Sequence, residues 1–137
     1  MPVEFQYYPD PAPEILERIS SLAPENTFYT SEYVRARGLL GSKTVALVTR
    51  DGDTFVTGCC AFFVRGRVNS RLEITSVPQI DGPAVFWDGV LRYCRENGVS
   101  ILSVYSFGSM PAAIPKLPGE TLRKDRYEYR LGLLEPD

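Results

Sequence analysis

Between Ala12 and Leu22 the stretch "APEILERISSL" sets Ile15, Leu16, Ile19 and Leu22 on one face at helical spacing, with Pro13 near the first turn, where its missing N–H costs nothing. The pattern predicts an amphipathic helix. A second, shorter helix is predicted from Thr30 or Ser31, either of which can cap it, through Arg37, with Gly38 ending it. The period then changes. "KTVALVTRDGDTFVTGCCAFFVRGRVNSRLEITSV" reads as three consecutive strands, with Asp51-Gly52 as a hairpin turn between the first two and the Gly66–Ser70 segment as a looser turn before the third. The middle run, "GCCAFFV", is apolar on both faces, as suits a central strand covered from both sides. An antiparallel meander is the expected arrangement.

Pro78 closes the third strand. From about Ala84 to Asn97, Trp87, Val90, Leu91 and Cys94 fall at i, i+3, i+4 and i+7, which predicts a helix ended by Asn97-Gly98. "VSILSVYSF" is the next strand; because a strand and a helix precede it, it is expected to lie parallel to the Arg71–Val77 strand. "GSMPAAIPKLPGE" reads as a proline-punctuated loop or broken helix. In "RYEYRLGL", Tyr127, Tyr129, Leu131 and Leu133 alternate with Arg126, Glu128 and Arg130, the mark of a half-buried final strand. Residues 1–11 and 134–137 read as loose termini. No internal repeat or low-complexity segment divides the chain. The fold class expected is α+β with a mixed sheet, in one domain over residues 1–137.

Composition narrows the chemistry. With 44% apolar and 12% aromatic residues, a chain of 137 residues can bury a single core. A net charge of −2 gives no overall pull toward DNA or an anionic membrane, and no stretch approaches the length of a span. The N-terminus has neither the basic start nor the apolar run of an export signal, so a cytoplasmic protein is expected. Of the 15 basic residues 12 are arginine, whose forked donors suit carboxylates and phosphates. There is no histidine, which removes Ser-His-Asp and Cys-His nucleophile systems and histidine-ligated zinc. Adjacent Cys59 and Cys60 in a strand, and Cys94 on a helix stripe, read as buried thiols rather than a disulfide or metal set. Any catalysis must use carboxylates, tyrosines, thiols or the backbone.

Two helices, three antiparallel strands, a crossover helix, a parallel strand, an irregular segment and a final strand resemble the element order of the GNAT acyltransferase fold. More narrowly, "TFYTSEYVRAR", "VALVTRDGDTFVTGCCAFFVRG", "YCRENGVSILSV" and "DRYEYRLGL" resemble the FemAB-like branch, aminoacyl and acyl transferases that commonly carry two such domains in tandem. By this resemblance the chain looks like one half of that arrangement, with a homodimer or a partner GNAT-like domain supplying the other. The implied function is transfer of an acyl or aminoacyl group to the amine of a small molecule or peptide. The implied donor is acetyl-coenzyme A, another acyl-coenzyme A or an aminoacyl carrier.

The resemblance also implies site residues. Glu73 matches by position the carboxylate base found on the strand before the crossover helix; its alternative role is a salt-bridged strand carboxylate partnered by Arg65, Arg67 or Arg71. Tyr105 ends the parallel strand, at the carboxyl edge where open sheets gather ligands, and with Ser106 and Ser109 offers hydroxyl donors; the alternative is a half-buried packing residue. Gln79, Gly82 and Ala84 fit the spacing of a pyrophosphate-binding turn of the form Q/R-x-x-G-x-G/A. Pro83 removes one donor from that turn and Asp81 brings a negative charge to it, so the same residues also read as a tight strand-to-helix connection. Asp88, Glu96 and the cluster Arg123–Arg126 read as solvated charges, and Tyr127 and Tyr129 as core packing. The competing functional class is a non-catalytic half that binds or dimerises.

Overall fold

The computed structural model describes residues 3–23, 30–65, 70–75, 78, 84–105, 120–123 and 126–130. Within them the chain is an α+β fold of one mixed sheet and three helices. In chain order the elements are β1 (Glu4–Pro9), α1 (Pro13–Leu22), α2 (Ser31–Leu39), β2 (Lys43–Asp51), β3 (Thr54–Arg65), β4 (Ser70–Ile74), α3 (Ala84–Glu96), β5 (Ile101–Tyr105), β6 (Glu120–Arg123) and β7 (Arg126–Arg130). The strands lie side by side in the order β1-β2-β3-β4-β5-β7-β6.

The meander forms as expected. β2 and β3 are antiparallel around Asp51-Gly52, where Gly52 takes φ 59°, and β3 pairs antiparallel with β4. β5 runs parallel to β4, from Arg71 opposite Ile101 to Ile74 opposite Val104, so α3 is a crossover between two co-directional neighbours. α3 stops where Gly98 turns at φ 69° and the Val99 N–H reaches the Cys94 carbonyl at 2.9 Å.

Three expectations need correction. Residues 1–11 are not a loose terminus throughout, because β1 pairs antiparallel with β2 from Glu4 opposite Arg50 to Pro9 opposite Val45. What holds β1 is remote in sequence: the Phe5 ring meets Phe86 edge-on at 6.3 Å and Tyr7 meets Tyr93 at 4.8 Å, both partners belonging to α3. β6 forms after the proline-rich stretch and pairs antiparallel with β7, with an irregularity between Glu120 and Leu122. Four residues carry too little alternation to announce a strand without their partner. Finally, α2 passes through Gly38 to Leu39, and the left-handed turn comes at Gly41, φ 95°.

Register and ring contacts sort the layers. Phe5 and Tyr7 face α3 and stand opposite Thr49 and Leu47 of β2. Alternation carries that face through Cys59 and Ala61 of β3 to Leu72 and Ile74 of β4, both fully buried. The other face is covered over β2 and β3 by α1 and α2: a Cβ on Gly58 would meet side chains of Leu22 and Ile19 from α1, and Tyr33 of α2 meets the Phe62 ring at 5.6 Å.

The α3 layer is the tighter of the two. A Cβ on Gly89 would stand 2.1 Å from the Phe5 ring, so β1 can approach the helix only where the helix has no side chain. Trp87 is 2% exposed and its Nε1 has no hydrogen-bond partner among the described residues. The thiols of Cys59, Cys60 and Cys94 are all buried and free. Burial pushes Cys60 and Cys94 each up to about 12 and Cys59 well above its ordinary value, since removal from water disfavours thiolate and, at Cys94, outweighs the opposing charge of Arg95.

Candidate active site

On the helix α2 side, β4 presents polar residues. Arg71 and Glu73 are half-buried and Thr75 just beyond the strand is buried, alternating with the apolar Leu72 and Ile74. The neighbouring β5 contributes Ser103, directly opposite Glu73, and Tyr105 two residues further on. Strand spacing puts Glu73 and Tyr105 roughly 8 Å apart at their Cα atoms, on one face of adjacent strands. The two residues expected from the sequence as carboxylate base and hydroxyl donor therefore share a surface.

Their surroundings come from α2. Thr30 caps that helix, its hydroxyl accepting the Tyr33 N–H at 3.2 Å, and one turn later Tyr33 and Arg37 stand on the same side at i, i+4. Arg37 lies over the Phe62 ring, 4.3 Å from guanidinium carbon to centroid. Its Nη2 reaches Glu73 Oε1 at 2.5 Å and the Ser42 hydroxyl at 3.4 Å. Its Nη1 donates to the Tyr33 hydroxyl at 3.2 Å, and the Tyr33 hydroxyl lies 3.3 Å from Thr75 Oγ1. Burial works against the Arg37 charge, but hydrogen bonds to Tyr33 and Glu73 and the Glu73 charge outweigh it, so Arg37 is held above its ordinary value. It is a permanent cation.

The salt-bridge partner of Glu73 is thus Arg37. Of the three arginines expected for that role, Arg71 donates to Ser103 Oγ at 2.6 Å, Arg65 lies over the Phe63 ring, and Arg67 is outside the described residues. The register explains the difference: Arg65 stands opposite Ser70, at the far end of the β3–β4 pairing from Glu73, which stands opposite Phe62. Tyr33, Arg37 and Thr75 were not singled out from the sequence, although the i, i+4 spacing of Tyr33 and Arg37 was visible there.

Tyr105 is half-buried at the end of β5, its backbone opposite Arg126 of β7. Pairing between β4 and β5 ends at Ile74 and Val104, one residue short of Tyr105. Of the three residues proposed to bind donor phosphates, Ala84 is exposed at the start of α3, while Gln79 and Gly82 lie outside the described residues, as do Pro83, Ser106 and Ser109.

Chemically the cluster offers a carboxylate gripped through one oxygen. Oε1 of Glu73 is engaged by Arg37, and Oε2 has no protein partner among the described residues, so it can accept a proton from a bound molecule. Among the described residues no group of three or more His, Cys, Asp or Glu could hold a metal ion, and no helix is long and apolar enough to cross a membrane. A cavity of about 1090 Å³ opens toward the other end of β4, among the starts of α1 and β2, the end of β3 and the last turns of α2 and α3. Ser42 links the two features, lining the cavity while accepting from Arg37. In comparisons with known proteins, the chain matches no family model and no curated protein.

Proposed function

We propose that this chain is an N-acyltransferase-like domain of the GNAT/FemAB type, moving an acyl or aminoacyl group onto an amine. The observation that carries the reading is that Glu73 and Tyr105 stand on one face of two co-directional strands joined through α3, with Glu73 Oε2 unengaged among the described residues. The strand order, an antiparallel run joined to β5 through a parallel pair and closed by a β6–β7 hairpin, is consistent with a GNAT-like arrangement. Pairing that stops at Ile74 and Val104 sets the mouth of the proposed site at the carboxyl ends of β4 and β5, beside the start of α3.

In this reading Glu73 takes a proton from the acceptor ammonium, and the freed amine attacks the acyl carbonyl. The carbonyl oxygen gains the electron pair, and collapse of the tetrahedral species expels the donor's leaving group, which takes a proton from Tyr105; the attacking nitrogen releases its second proton to solvent, and the proton held by Glu73 returns to the Tyr105 oxygen through solvent, so both groups regain their starting states. Arg37 holds Glu73 in place and stays charged throughout. By the resemblance, Gln79 and Gly82 are the residues assigned to the phosphates of a coenzyme A donor; a carrier without phosphates has no need of them.

The test is calorimetric titration with acetyl-coenzyme A and, separately, with an aminoacyl carrier. Binding of either, with acyl transfer to an amine, is the expected result; no heat and no thermal stabilisation by either removes the reading. A second reading, a non-catalytic binding half, is favoured by one observation: the 2.5 Å contact with Arg37 makes Glu73 half of an ion pair that needs no substrate to explain it. Under that reading Glu73→Gln changes no turnover.

A further inference from the structure

The end of α2 carries a feature that acyl transfer does not use. Leu39 and Leu40 are 84% and 81% exposed, whereas the next most exposed large apolar side chain described, Val56, is 50% exposed. Among the described residues the tip they form stands in open space: a Cβ added to Gly38 or Gly41 on either side would meet nothing within 4 Å. Two adjacent leucines held in water forgo the stabilisation that burial would give them.

Beside this tip lies the cavity of about 1090 Å³, whose apolar lining includes Leu16, Val34, Val45 and Phe63. Leu39 stands on its rim, so knob and hollow are next to one another on one surface. The lining is charged with both signs, Arg35, Lys43 and Arg65 against Asp10 and Glu17. A two-fold interface must be complementary to itself, because each contact from one copy to the other is repeated in reverse. A knob beside a hollow, with cations and anions on the same lip, meets that condition. An apolar small molecule would fill the hollow and still leave Leu40 in water.

We infer that this surface is where a second copy of the chain docks, the Leu39-Leu40 tip of each copy entering the cavity of the other. Glu17 and Arg35, facing the same opening from α1 and α2, pair with their opposites across the axis. Sedimentation reads self-association without any acyl transfer, so this inference and the proposed function stand or fall separately.

The experiment is sedimentation velocity on the whole chain across micromolar concentrations. A reversible monomer–dimer equilibrium is expected, and Leu39→Glu with Leu40→Glu should weaken it by roughly 100-fold, with the melting temperature unchanged at dilutions where both proteins are monomeric, since both side chains are exposed in the single chain. Arg35→Glu and Glu17→Lys, made in separate chains, should each weaken self-association by roughly 10-fold through like-charge contact. Mixing those two variants should restore a dimer, because both crossed pairs are then attractive. A wild-type chain that stays monomeric, a double-leucine variant that dimerises as the wild type does, or a mixture no tighter than its components would each overturn the inference.

Discussion

Leu72 and Ile74 on one side of β4 are fully buried in the α3 layer, while Arg71 and Glu73 on the other side stay half-buried and reach Ser103 and Arg37. One five-residue strand therefore serves two environments. The α3 side is a packing surface, with aromatic edges against β1 and a helix backbone pressed onto the Phe5 ring. Over β4 and β5 the opposite side is a hydrogen-bonded surface, where each charged group has a named partner. The second side differs in kind because its charged groups are held by named polar partners, whereas the strand positions described under α3 are packing positions, Leu72 and Ile74 among them.

The largest effect that would separate the two sides is on activity. Glu73→Gln should lower acyl transfer by roughly 10²–10⁴-fold, as for loss of a general base, while costing at most about 1–2 kcal/mol of stability because glutamine still accepts from Arg37. Turnover rates that are unchanged in single-turnover measurements would leave the polar side a structural one.

The buried thiols give the next largest effect. Cys60 and Cys94 bind their protons more tightly folded than unfolded, so the unfolded chain loses protons first as the solution becomes alkaline. Their contribution is complete below about pH 9, the range of a free thiol, and is lost between there and about 12. Each should cost about 1.4 kcal/mol per pH unit within that window, read from urea melts at pH 8 and pH 10. Replacing Cys60 and Cys94 by alanine should flatten that slope; an equal slope in the variant would show that neither thiol is as dry as the packing requires.

Gly89→Ala sharpens the comparison from the apolar side. Alanine gains about 1 kcal/mol of helix propensity over glycine, yet its Cβ collides with Phe5, and overpacking costs typically about 1–3 kcal/mol, so a net loss of up to about 2 kcal/mol is expected. Trimming the ring with Phe5→Leu should make the double variant less damaged than the sum of the two changes. A Gly89→Ala protein that melts higher than the wild type would mean β1 does not sit tightly on α3. The smallest effect belongs to the polar side: Thr30→Ala removes the α2 cap and should cost about 1 kcal/mol in a denaturant titration. Because α2 carries Arg37, the same variant should also loosen the Glu73 contact.

Much of the fold was legible locally. The helices α1 and α3 follow from spacing, the Asp51-Gly52 turn from its residue pair, and the parallel setting of β4 and β5 from the helix between them. β1 was not, since its reasons to exist are Phe86 and Tyr93, some eighty residues away, and Pro9 and Pro11 mark its end as a loop. In the candidate site, Glu73 and Tyr105 stood out by their places in strands, but the cation that grips Glu73 did not. Arg37 could be seen to share a helix face with Tyr33; only packing of α2 across Phe62 turned that face onto β4.

Periodicity and turn residues by themselves determined the helices α1 and α3 and the β2–β4 meander, because those preferences act within a few residues and need no partner, whereas β1 and β6 became strands only beside β2 and β7. Tertiary structure decided which strands stand at the edges, which face of β4 is polar and which arginine meets Glu73. Those outcomes depend on register and on side chains brought together across the sheet, and burying Leu72 and Ile74 under α3 is what commits Glu73 to the opposite side.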